Sequence, residues 1–249
     1  MSISIAFKDD VFSLDKLQLP SRYFYFREEE NYTKLLTIGE GIFPNDKIKT
    51  KCTLENSSCI FSTESATKIY PSKNNYGINK IDINLINSNC EFINDELILY
   101  KDAKLLQFLK IKLDDSSSLF YCDILSSGRS YENFDFTSMN IRNKFYVNNK
   151  LEYYENYDIS GDEFKNYLNR HDSSNDIYAK IYIKIKDDEE LFDILKQNDI
   201  TTFTYTQSKF MIIGVISSSN MFKLKQKIQN IWNIYRGVLG KGAFNLGKQ

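Results

Sequence analysis

The chain is 249 residues long, with 32 Lys+Arg against 33 Asp+Glu and a net charge of −1. It is ample for one buried core, and neither a basic field for nucleic acid nor an acidic tail stands out. No run approaches the ~18 apolar residues of a membrane helix, and 10 glycines and 3 prolines argue against a disordered or fibrous chain.

Strands dominate up to about Ile86. Ser2 to Phe7 alternates, Arg22 to Phe26 is aromatic-rich, and Tyr32 to Ile38 leads into the turn GEGIFPND, Gly39 to Asp46. The next strand sets Asp46, Ile48, Thr50, Cys52 and Leu54 on one face. Lys47, Lys49 and Lys51 fall on the other, which is solvated or meets a partner. Ser58 to Ser62, Thr67 to Tyr70 and Tyr76 to Ile86 follow. Cys90 to Ile93 and Ile98 to Tyr100 read as short strands, and Leu105 to Leu113 as a longer one. Asp-Asp-Ser-Ser-Ser then reads as a hairpin loop into Leu119 to Leu125. A linker of about a dozen residues separates the segment ending at Phe136 from the strand Leu151 to Ile159.

Helices come late. Ser160-Gly-Asp-Glu163 is a capping box, with Ile159 positioned to staple against Phe164. Ile177 to Ile185 alternates as a half-buried strand, Asp187 is placed to cap a second helix, and Thr201 to Thr206 and Phe210 to Ile216 are strands. From about Asn220 to Val238 a stripe of Met221, Leu224, Ile228, Ile231, Trp232, Tyr235 and Val238 marks a helix. The stripe reads as core, or in part as a partner groove. The expected fold is mainly β: short strands in stacked or sandwiched, solenoid-like antiparallel sheets, with two or three helices in the C-terminal third. It is one domain, 1–249, with a β-rich body over 1–159 and an α+β portion over 160–249.

Two carboxylates sit where apolar residues are expected. Asp123 shares a face with Leu119, Tyr121 and Leu125, and Glu155 shares one with Leu151, Tyr153, Tyr157 and Ile159. An ionised carboxylate on a buried face costs several kcal/mol (order of magnitude) unless paired or hydrated. Either Arg129 neutralises one acid and an edge excuses the other, or the pair lines a wet passage or partner-facing groove. As an acid pair they are also the one glycosidase candidate, although no other feature resembles a sugar cleft. His171 is the only histidine and lies in a polar loop, which excludes His-based triads and His-rich metal sites. No phosphate-binding Gly-x-x-x-x-Gly-Lys-Ser/Thr loop occurs. The four cysteines, Cys52, Cys59, Cys90 and Cys122, lack Cys-x-x-Cys spacing and read as buried thiols of a cytoplasmic protein without a leader.

Four stretches carry a resemblance. STESATKIYPS (Ser62 to Ser72), CEFINDELILY (Cys90 to Tyr100), SSGR before an aromatic-rich strand, and then KLEYYENYDI occur in the order seen in the UreD (UreH) urease accessory family. The sequence resembles a divergent member. Asn94 stands in place of a proline, Asn156 in place of an arginine, and Gly247 in place of an arginine near the C-terminus. The resemblance implies a non-catalytic scaffold that binds urease apoprotein and UreF, recruits the GTPase UreG through UreF, and helps deliver nickel. It implies no tightly bound cofactor, nickel at most in transient contact, and compatibility with a homo-dimer of the accessory complex. No nucleic-acid or membrane partner is expected. By motif position it nominates Asp46, Ser65, Thr67, Asp123, Arg129 and Glu155 for a polar path or partner contact. Turn hydrogen bonding competes with that role at Asp46, Ser65 and Thr67. Apart from the resemblance, the sequence leaves open a β-rich protein-binding module unrelated to urease or a glycan-active enzyme. The C-terminal strands and last helix are the expected partner-binding elements.

Overall fold

The computed structural model describes residues 1–27, 29–37, 39, 41–129, 131–170, 177–198, 200 and 202–247. The expectations placed on Ile38, Glu40, His171, Thr201 and Lys248 lie outside them. In chain order the N-terminal strands are β1 (Ser2–Lys8), β2 (Val11–Gln18), β3 (Ser21–Arg27), β4 (Asn31–Thr37), β5 (Lys47–Glu55), β6 (Ser58–Thr63) and β7 (Thr67–Ile69). The middle adds β8 (Gly77–Ile86), β9 (Asn89–Leu99), β10 (Lys104–Leu113), β11 (Ser118–Ser126), β12 (Ser138–Val147) and β13 (Lys150–Ile159). Then come α1 (Gly161–Arg170), β14 (Ile177–Lys184), α2 (Asp188–Gln197), β15 (Phe203–Tyr205), β16 (Ile212–Ser218) and α3 (Met221–Val238).

Two stacked sheets form the body. The first has the order β13-β12-β10-β8-β5-β1-β2, and the second runs β15-β16-β14-β11-β9-β6-β4-β3, with β7 also on β9. From β5 to β12 the chain crosses repeatedly between the sheets, as in a solenoid. Each return therefore adds a strand in the same direction. The interior pairs β1–β5, β5–β8, β8–β10, β10–β12, β4–β6, β6–β9 and β9–β11 are parallel, which corrects the antiparallel expectation. Antiparallel pairing is confined to the borders, at β1–β2, β3–β4, β12–β13 and β11–β14 to β16. For the same reason the serine-rich loop after Leu113 is a crossing between sheets and not a hairpin. The expected linker contains β12, and the two short strands after Cys90 are one strand, β9.

The local chemistry of the crossings explains the asparagines. Asp9, Asn56 and Asn87 adopt φ of 49°, 49° and 46°, a left-handed conformation that Asn and Asp tolerate better than most residues. They stack: Asn87 Nδ2 donates to Asn56 Oδ1 at 3.0 Å, and Asn56 Nδ2 donates to Asp9 Oδ1 at 3.0 Å. Beside them, the Ser57 and Ser88 amides donate to the hydroxyls of Ser88 and Ser117, each at 3.1 Å. The β12–β13 hairpin turns on Asn148 and Asn149, both at positive φ, as a two-residue turn of that hand requires.

Between the sheets lies an apolar core containing Phe7, Cys52, Leu54, Ile83, Ile111 and Phe145. Register stacks Phe61, Phe92, Tyr121 and Tyr182 as a ladder with centroids 5.5, 5.5 and 6.2 Å apart. The other face of the second sheet packs against α2 and α3. All four cysteines are free and buried, and burial pushes their thiols up. The α3 stripe is core: Leu224, Ile228, Ile231, Trp232 and Tyr235 are buried, and Met221 and Val238 pack on them.

Charge locks that helix in place. Glu91, with 0% exposure, accepts from Trp232 Nε1 at 2.6 Å and from Arg236 Nη1 at 2.7 Å. Arg236 also pairs with Glu30 and donates to the Gly242 carbonyl at 2.7 Å, so the C-terminal tail is tied to the same cluster. The capping box of α1 forms as expected: the Ser160 amide donates to Glu163 Oε2 at 2.8 Å and the Glu163 amide to Ser160 Oγ at 3.2 Å. Asp187 sits at the N-cap of α2 without a side-chain cap bond. Among the described residues no helix is long and apolar enough to cross a membrane.

A candidate polar seam between the sheets

The strand alternation places Asp123 and Glu155 as expected, on faces turned toward the space between the sheets. Asp123 Oδ1 accepts from Tyr121 Oη at 2.9 Å and from Asn94 Nδ2 at 2.8 Å, and Gln107 Nε2 reaches Oδ2 at 3.4 Å. Burial pushes its carboxyl up to about 6, aided by the nearby Glu155 charge and opposed by the Tyr121 bond and by Lys180. The register between β9 and β11 shifts beside Asp123, between Cys122 and Ile124. A bulge there re-aims side chains, and Asn94 is the residue delivered to the carboxylate.

Glu155 is held by three partners. It forms an ion pair with Lys180, and its Oε2 accepts from Tyr182 Oη at 2.7 Å and from Asn143 Nδ2 at 2.9 Å. Lys180 is the direct register partner of Asp123 and lies over the Tyr157 ring, 4.7 Å from its centroid. Burial opposes its charge, but Tyr157 and Glu155 outweigh that and raise its pKa. Burial, reinforced by the adjacent carboxylates, pushes the Tyr121 and Tyr182 phenols well up.

Several of these groups, though not Glu155 or Tyr121, line two cavities. The larger, about 540 Å³, includes Gln107, Asp123, Asn143, Tyr157, Lys180 and Tyr182 at a polar end and Ile141, Phe164 and Leu168 elsewhere. Helix α1 covers it closely. A Cβ on Gly161 would lie 1.8 Å from the Phe134 carbonyl oxygen, so only glycine permits that approach. The smaller cavity, about 70 Å³, is lined by Thr37, Thr50, Thr63, Ser65, Thr67, Asn79 and Asn94 among others. Asn94 bonds across to Asp123, and Asn79 Nδ2 reaches Gln107 Oε1 at 3.4 Å. The amides at the wall of one cavity thus contact the polar end of the other.

The six nominated residues divide. Ser65 and Thr67 line the smaller cavity and Asp123 the larger, while Glu155 lines neither and joins the seam through its bonds to Lys180, Tyr182 and Asn143. Asp46 closes the turn before β5, with Oδ2 accepting from the Phe43 amide at 3.1 Å, and lines neither cavity. Arg129 does not neutralise Asp123. It is exposed, pairs with Glu132 at 2.7 Å and lies over the Tyr100 ring at 4.3 Å. Sequence reasoning missed Lys180, Asn94, Asn143 and Gln107. Lys180, Asn143 and Gln107 each carry a signal, as a polar residue on the face of Tyr178 and Tyr182, of Ile141 and Phe145, and of Leu105 and Leu109 respectively; Asn94 stands out only where the resemblance has proline. Among the described residues no group of three or more His, Cys, Asp or Glu is arranged to hold a metal ion.

A family model for the UreD urease accessory protein matches residues 19–246. The chain belongs to the UreD family. It is 60% identical to the urease accessory protein UreD of Aliarcobacter butzleri (strain RM4018), over the full length of both. Similarity to the UreD proteins of Staphylococcus epidermidis (strain ATCC 12228 / FDA PCI 1200) and Staphylococcus aureus (strain bovine RF122 / ET3-1) is more local. It is 33% and 32% identity over 52% and 49% of this chain, and 48% and 45% of theirs. The alternative of a binding module unrelated to urease is set aside by the UreD match. The two cavities and the Asp123 carboxylate that bonds from one to the wall of the other are accordingly features of a UreD chain.

Proposed function

We propose that this UreD chain is a non-catalytic scaffold that binds urease apoprotein together with UreF and UreG, and that hydrated nickel passes along its polar seam on the way to urease. The observation that supports a path is the position of Asp123, at the larger cavity and hydrogen-bonded to a side chain of the smaller one. Hydroxyl, amide and carboxylate oxygens hold nickel more loosely than imidazole or thiolate, so such a lining favours transit over storage. With a carboxyl near 6, Asp123 can exchange a proton for a passing cation near neutral pH. Lys180 and Tyr182 already engage Glu155, which leaves no free acid pair flanking a sugar bond and disfavours a glycosidase.

The reading is tested by co-expressing urease apoprotein, UreF and UreG with and without this chain. Urease activation and a recoverable complex are expected only when the chain is present. Normal activation without it would overturn the proposal.

A further inference from the structure

The near-neutral net charge conceals a segregation of which Lys47, Lys49 and Lys51, alternating on one strand face, are the part visible in the sequence. On the outer face of the first sheet, parallel register sets Lys49 beside Lys80, then Phe108, then Arg142. The next row reads Lys51, Asp82, Lys110, Lys144. All of these side chains keep solvent access. Like charges directly opposed across strands are unfavourable for the sheet itself, yet Lys49–Lys80 and Lys110–Lys144 are both such pairs. Among the described residues the one ion pair within these two rows is Lys80–Asp82, at 3.5 Å. Aromatic rings hold other cations in place: Arg142 lies 5.7 Å from the Phe108 centroid and Lys144 lies 5.0 Å from that of Tyr154. The compensating acids are elsewhere, for example in the first turns of α1 (Asp162, Glu163) and α2 (Asp188, Glu189, Glu190).

We infer that this basic sheet face is a docking surface for an acidic face of a folded protein, and that in the assembly proposed above the occupant is urease apoprotein, the partner named in the description of the family and of the relative that matches over its full length. A folded protein fits better than a polyanion for two reasons on the surface itself. Asp82 stands inside a basic row, where it repels a uniformly negative ligand but accepts a donor from a mixed protein surface. The rings of Phe108 and Tyr154 offer apolar contact between the charges. Four strands at ~4.8 Å spacing also make a broad, shallow platform, unlike a groove that tracks a single strand of nucleic acid. The inference rests on the urease-accessory reading and adds the face and its chemistry.

The test compares wild type, K49E/K110E/K144E and the control E189K in pull-downs of co-expressed urease apoprotein at two salt concentrations. We expect wild type and E189K to retain the complex, the triple variant to lose it by at least tenfold, and the wild-type complex to weaken at high salt. The milder K110Q/K144Q variant, with at least a threefold loss expected, decides the matter if the reversal fails to fold by circular dichroism. A complex unaffected by both charge changes overturns this inference alone. Absence of any wild-type complex, with urease activated normally, instead overturns the accessory reading beneath it. Duplex DNA or anionic phosphatidylglycerol vesicles captured in preference to apoprotein, or salt-sensitive self-association of the purified chain, also overturns the choice of occupant.

Discussion

At the scale of single residues, Asp123 and Lys180 make opposite predictions for stability. The folded-state carboxyl of Asp123 is raised to about 6 from 3.8. Its ionisation therefore opposes folding. The wild type loses stability relative to D123N as pH rises from about 4 to about 6, and the gap is constant above that. Two units correspond to about 3 kcal/mol, so thermal melts should show D123N equal at pH 4 and more stable at pH 7. Lys180 acts the other way. K180M leaves Glu155 confined without its cation, and we expect a loss of about 3 kcal/mol in urea titration. K180M/E155Q should recover much of it. Alternation within β11 and β13 made both acids visible in the sequence. It could not reveal that Lys180 answers Glu155, because the partner of a side chain is set by which strands become neighbours.

At the scale of elements, the anchoring of α3 depends on charges that a hydrophobic stripe does not disclose. Glu91 has no exposure, and Arg236 is the buried cation that answers it. R236M should cost about 3 kcal/mol by removing the buried cation from that carboxylate, which keeps Lys241 at 3.3 Å, and amide exchange should show α3 and the tail opening before the sheets. Unchanged protection of α3 would contradict the anchoring. Burial opposes ionisation of Glu30, but the bonds from Arg236 and Lys241 outweigh it and lower its pKa. Its contribution is therefore present above the ordinary Glu range and is lost as pH falls through the lowered value. The helix positions, the α1 capping box and most strands were legible from period and caps. β12 was not recognised although Met139, Ile141, Phe145 and Val147 alternate through it, because polar residues between them resemble a linker. Strand direction was not legible either. It follows from the chain crossing to the other sheet after each strand, which the Asn56 and Asn87 turns enforce but which no local pattern announces.

At the scale of the molecule, two stacked sheets enclose an interior that is apolar at one end and hydroxyl-, amide- and carboxylate-lined at the other. The UreD resemblance was carried by four ordered motifs, and the seam collects residues from three of them, Ser65 and Thr67, Asn94, and Glu155. On the function proposed above, this seam handles the ion while the rest of the fold carries the partners. The most direct test is the nickel content and activity of urease co-expressed with UreF, UreG and either wild type, D123A, E155A or D123A/E155A. A recoverable accessory complex is expected in every case, with nickel loading and activity reduced at least threefold by each single variant and further by the double. Full nickel loading with the double variant, at wild-type levels of complex, would contradict it.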